Sequence, residues 1–99
     1  MFVLIAKFRA AKGKEEELVQ MLRQEISKVR QNEKDALIFD LHRKIDDSAE
    51  MLLYERYKDR DAFAVTHMSM PYVKEVIEAL PNYLDGDIEM MEYDLVEVD

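Results

Sequence analysis

The spacing of apolar residues changes sharply near Gly13, and that change limits what the chain can fold into. Before it, "FVLIAKFR" at residues 2–9 is β-branched and aromatic with no breaker, which reads as a strand. After the turn Lys12-Gly13-Lys14, Leu18, Met21, Leu22, Ile26 and Val29 fall on one face of a helix. Glu15, Glu16 and Glu17 occupy its first turn, where carboxylates complement the helix dipole. The spacing predicts a long amphipathic helix over residues 14–33.

The strand period then returns. "ALIFDLHRKI" at 36–45 and residues 50–58 read as a hairpin around Asp46-Asp47-Ser48. Asp59 can cap a short helix through Ala62, Phe63 and Thr66. Ser69 and Pro71 open another, with Val73, Val76, Ile77 and Leu80 as its buried stripe and Pro81 as its stop. Residues 87–98, "DIEMMEYDLVEV", give a last strand. The order β-α-β-β-α-α-β suits one α+β domain over residues 1–99, a ferredoxin-like antiparallel sheet with helices on one face.

Both faces of the strands begin apolar. Phe2, Leu4, Ala6 and Phe8 share one face of the first strand, and Val3, Ile5, Lys7 and Arg9 the other. In the second, Leu37, Phe39 and Leu41 oppose Ile38, Asp40 and His42. A sheet covered on one side only should show one plainly polar face. The helices can cover one face, so a second subunit is expected over the other, giving a homodimer.

The net charge of −8 argues against nucleic acid and anionic membrane surfaces as partners. The chain has no cysteine, which excludes disulfides, thiolate catalysis and zinc–thiolate sites. The apolar start lacks a basic n-region and is too short to span a bilayer, so a cytoplasmic protein is expected. His42 and His67 lie 25 residues apart, and no carboxylate cluster has ligand spacing, so no metal is expected. Two glycines could hardly build a phosphate loop.

The order of elements, "AKGKEEEL" leading into the first helix, "FDLHR" at 39–43, "LYERYKDRDAF" at 53–63, His67 and "PYVK" at 71–74 together resemble the antibiotic biosynthesis monooxygenase (ABM) domain family. The resemblance covers essentially the whole chain. It implies a dimeric α/β barrel formed by sheet-to-sheet packing, with a pocket between sheet and helices in each subunit. It also implies, through the quinol monooxygenases of that family, oxidation of an electron-rich phenol by dioxygen without metal, flavin or haem. Three departures stand out. Tyr57 stands where Trp is frequent, and Asp35-Ala36 where a Gly is frequent. Against the haem-degrading branch, Lys7 replaces its Asn, Tyr57 its Trp, and Val76 aligns near its haem-ligating His, so haem degradation is not expected.

Such a reaction needs a pocket for the aromatic and a base with a pKa near working pH, for which histidine is suited. His67, at the family's position, is the candidate base, with Glu55 to fix its tautomer; a helix-end or half-exposed histidine is the plainer alternative. Glu55 shares a strand face with Met51 and Leu53, so it is expected to be part-buried and paired. Tyr57, on the same face, is expected on the pocket wall with Phe63 beside it, or else in simple aromatic packing. His42 and Asp40 share the opposite face of the second strand and form a possible polar pair against the substrate, or a surface or interface feature. Arg56 is read as an interface or salt-bridge residue. Met68, Met70, Met90 and Met91 could wall a flat ligand or simply fill the core. A dimeric binding or stress-response module without turnover, and an acid–base isomerase of a small carbonyl compound, would use the same pocket.

Overall fold

A computed structural model describes residues 1–97. Strand β1 (Phe2–Arg9) leads into helix α1 (Glu15–Asn32), and strands β2 (Ala36–Lys44) and β3 (Asp47–Tyr57) form the hairpin. A short π-helical segment (Ala62–His67), helix α2 (Pro71–Ala79), a 3₁₀ turn (Leu80–Asn82) and strand β4 (Glu89–Asp94) follow. The sheet order is β2-β3-β1-β4, and every neighbouring pair is antiparallel. This is an α+β, ferredoxin-like fold with its helices on one face.

Local chemistry explains the boundaries. Gly13 takes φ 83°, a left-handed conformation that favours glycine, and so lets the chain turn from β1 into α1. The Asp59 carboxylate accepts from the Ala62 N–H at 2.8 Å and starts the π-helical segment. The Met68 N–H closes that segment onto the Phe63 carbonyl, an i→i+5 bond. Pro71 stands in the first turn of α2, where its missing N–H costs nothing. Pro81 does not end the helical run, as its position suggested, but sits inside the 3₁₀ turn that extends it. The hairpin turn is Ile45-Asp46, so Asp47 and Ser48 belong to β3 rather than to the turn. The last strand is shorter than the predicted 87–98, and Val98 lies outside the described residues.

The buried face of the sheet carries Phe2, Leu4, Ala6 and Phe8 of β1 and Ala49, Met51, Leu53, Glu55 and Tyr57 of β3. Leu18, Leu22, Ile26 and Val29 of α1 close over most of it. Phe63 and Ala62 close over Phe2, Leu4 and Tyr57 in a second cluster. One strand face differs from the alternation that its sequence predicts. A bulge shifts the register between Ala36 and Ile38, so Leu37 is 46% exposed while Phe39 turns inward opposite Glu55. The extra residue moves Leu37 off the face it was expected to share with Phe39 and Leu41.

Candidate functional site

Between sheet and helices lies a cavity of about 720 Å³, within the range of small-molecule sites. Every layer contributes to its walls: Leu4 and Ala6 from β1, Leu22 from α1, Phe39 from β2, Leu53 from β3, and Val73, Val76 and Ile77 from α2. Against these apolar walls stand three buried polar side chains, Glu25, Glu55 and His67. No lysine or arginine lines it among the described residues. Exposed Ile77, Pro81, Gly86, Asp87 and Met90 also border the cavity and mark where it meets solvent.

His67 is 4% exposed and packed among rings, with centroids of Phe39, Tyr57 and Phe63 at 5.3, 5.6 and 6.1 Å. Burial pushes its imidazole below the ordinary 6.5, against the pull of Glu33. Nδ1 lies 2.9 Å from Glu33 Oε1, and the Tyr72 hydroxyl donates to Oε2 of the same carboxylate. With Glu33 accepting, Nδ1 carries the proton and Nε2 keeps its lone pair. Nε2 has no hydrogen-bond partner among the described residues. The tautomer partner expected of Glu55 is therefore Glu33, which ends α1 and reaches the ring from the other side.

Glu55 is held instead by Tyr57, whose hydroxyl donates to Oε1 at 2.5 Å. Burial pushes the Glu55 carboxyl up to about 7; the Tyr57 hydrogen bond works against that and the nearby Glu33 adds to it. Tyr57 is 0% exposed and does not line the cavity. It backs Glu55 from inside the core, a correction to its expected place on the wall, because the π-helical segment lays Phe63 over it. Phe63 does line the cavity, as does Met68.

His42 and Asp40 are not brought to this cavity. Strand alternation puts them opposite Leu52 and Tyr54, on the sheet face turned away from the helices. They border a separate groove of about 820 Å³ between α1 and the edge strand β2, where Asp40 meets Arg30 at 3.5 Å. No hydrogen bond joins His42 to Asp40 among the described residues. Neither residue lines the His67 cavity, the place a shared role with His67 would require.

Two site residues escaped the sequence reading, Glu25 and Glu33. Both were visible as anomalies: Leu18, Leu22, Glu25, Val29 and Glu33 follow one helical stripe at spacings of three and four. A carboxyl on a stripe otherwise reserved for the core must be buried or misplaced, and here both are buried. Burial, then repulsion from Glu55 and Glu33, pushes Glu25 up to about 8. Among the described residues no three His, Cys, Asp or Glu side chains group as a metal ion would require. No helix among them is long and apolar enough to cross a membrane.

Solved structures share this fold. Rv0793 from Mycobacterium tuberculosis superposes with a TM-score of 0.89 at 22% identity, covering 98% of this chain and 96% of its own. PA3566 from Pseudomonas aeruginosa gives 0.86 at 24% identity, over 97% and 94% of the two chains. A candidate antibiotic biosynthesis monooxygenase from Caulobacter crescentus CB15 gives 0.90 at 23% identity, over 97% and 90%. No curated protein matches the sequence. The family model for antibiotic biosynthesis monooxygenase matches residues 1–79, which span β1 through α2 and hold Glu25, Glu55 and His67, the three buried polar side chains of the cavity wall. The chain belongs to the antibiotic biosynthesis monooxygenase family.

Proposed function

We propose that the chain is a cofactor-independent monooxygenase that oxidises a small quinol- or polyphenol-type aromatic with dioxygen. The observation that carries this reading is His67, a neutral imidazole with Nε2 unpaired, on the wall of a largely apolar cavity. A flat aromatic is stabilised by the aliphatic and Phe walls, at roughly 25 cal/mol per Å² of apolar surface removed from water. Nε2 takes the phenolic proton, and Glu33 stabilises the imidazolium that results. The phenolate so formed is electron-rich enough to pass an electron to dioxygen. Recombination at a ring carbon and loss of water then balance the reaction: quinol plus O₂ gives hydroxyquinone plus H₂O.

The second part of the proposal is a homodimer. Ile5, Leu52 and Tyr54 form a half-buried band on the sheet face opposite the helices, with Tyr93 at 48% exposure beside them. Arg56 is on the same face, and its Nε is buried without a partner among the described residues. A second copy supplies both the apolar cover and the acceptor.

The test is oxygen uptake and product mass with a panel of quinols, in air and under nitrogen. Oxygen-dependent gain of one oxygen atom supports the reading. Tight binding without any turnover would leave a binding module in its place.

A further inference from the structure

Glu25 has no use in the fold. It is 5% exposed and sits on the core stripe of α1, where leucine or methionine would pack at no desolvation cost. No described group hydrogen-bonds to it or pairs with it; the carboxyls of Glu55 and Glu33 and the hydroxyls of Tyr57 and Tyr72 are its polar neighbours. It nonetheless lines the cavity, delivered from the helix layer while β3 delivers Glu55 from the sheet. Glu25 also borders a small groove of about 220 Å³ beside Tyr72, but it is the His67 cavity that an unpaired buried carboxyl shares with a second free acceptor, and such a group is available to a ligand.

We propose that Glu25 is a specificity-determining residue, hydrogen-bonding the second hydroxyl of a neutral dihydroxylated aromatic whose first hydroxyl meets His67. The inference rests on the proposed function and narrows its substrate class. Two hydroxyl donors can meet Nε2 of His67 and the carboxyl of Glu25, both without partners among the described residues, while Glu55 on the same wall already accepts from Tyr57 at Oε1. A monohydroxylated analogue leaves Glu25 buried and unsatisfied, which a buried polar site penalises. An aryl carboxylate fares worse, because the wall offers carboxyls and no cation.

Anaerobic calorimetry at pH 7 with 1,4-dihydroxynaphthalene, 1-naphthol and 1-hydroxy-2-naphthoate tests this. The wild-type chain should prefer the diol to the naphthol by about 10- to 100-fold and bind the carboxylate least. Glu25→Leu should weaken the diol and leave the naphthol unchanged or tighter, bringing the ratio near one. Glu25→Met, unbranched and of similar length, serves as the second variant if leucine disturbs the helix packing. Glu25→Gln keeps an acceptor oxygen and should restore most of the preference. An undiminished preference in Glu25→Leu or Glu25→Met overturns the assignment while leaving the quinol reading intact. Equal wild-type affinity for diol and naphthol overturns it as well. Failure of the wild-type chain to bind either removes the proposed ligand class itself, and this inference with it.

Discussion

Glu33 and His67, 34 residues apart in sequence, meet at 2.9 Å in the buried interior, and Tyr72 holds the far oxygen of the same carboxylate. That contact occupies Nδ1 and leaves Nε2 as the ring nitrogen without a partner among the described residues. If His67 is the base, His67→Ala should lower turnover by about 10²–10⁴-fold. Glu33→Gln should lower kcat mainly, through the ring's orientation, and the double variant should be little worse than His67→Ala alone. Additive losses, from steady-state kinetics on all three variants, would show that the pair does not act as a unit.

The pH profile follows from the same ring. A base is active when unprotonated, and burial places the His67 pKa below 6.5. The limb of kcat/KM attributable to His67 should therefore be flat through neutrality and fall only as pH drops below 6.5. A limb centred above pH 7 that vanishes in His67→Ala would contradict the neutral imidazole.

Stability should run in the opposite direction to that of most acid-sensitive proteins. Folding raises Glu25 from 4.5 to about 8 and Glu55 from 4.5 to about 7, so between these values the folded chain holds protons the unfolded chain has released. Their stabilising contribution is fully present below pH 4.5 and is lost as pH rises through 7 and 8. The depressed His67 opposes this only below about 6.5, where the unfolded imidazole takes up a proton first. Above 6.5 the carboxyls act alone, amid Glu33, Tyr57 and Tyr72. Melting temperature should fall from pH 6.5 to 8.5, and by less in Glu25→Leu. An equal fall in both chains would remove Glu25 from the account.

How much of this was legible in the sequence depends on which period carried the information. The two periods placed every strand and helix, because apolar spacing is what the layers bury. The bulge at Leu37 was not legible, since a single extra residue changes a face without changing composition. Glu55 as a buried, paired acid was readable from its neighbours Met51 and Leu53. The partner of His67 was not. Glu33 reaches His67 only through the packing of α1 against the π-helical segment, a tertiary fact with no local signature beyond its place on the stripe. His42 and Asp40 read correctly as a shared strand face, but the sequence could not say which face the helices would cover.

The uncovered sheet face should drive self-association. Sedimentation equilibrium at micromolar protein should return twice the 11.7 kDa chain mass. Leu52→Asp places a carboxylate on this face, two residues from Tyr54 and opposite Lys7 and His42, and should yield a folded monomer. A wild-type monomer would refute the proposed assembly and leave the buried Arg56 Nε without an explanation.

The Tyr57 hydroxyl should prove to be a device for setting Glu55. It is buried, donates to Oε1 at 2.5 Å, and pulls the Glu55 pKa down against burial and Glu33. Tyr57→Phe keeps the ring that packs on Phe2 and Phe63 and removes only that donor. The remaining oxygen is left buried and unsatisfied, at a cost of about 1–3 kcal/mol in unfolding free energy. The Glu55 carboxyl should then titrate above its present value of about 7, which carbon-detected titration of the labelled glutamate side chains can follow. Because a raised pKa extends the range in which the folded chain holds the extra proton, the loss of stability should be greatest at alkaline pH. A Glu55 resonance that titrates at the same or a lower pH in Tyr57→Phe would mean that the hydroxyl does not govern the carboxyl, and that Tyr57 serves packing alone.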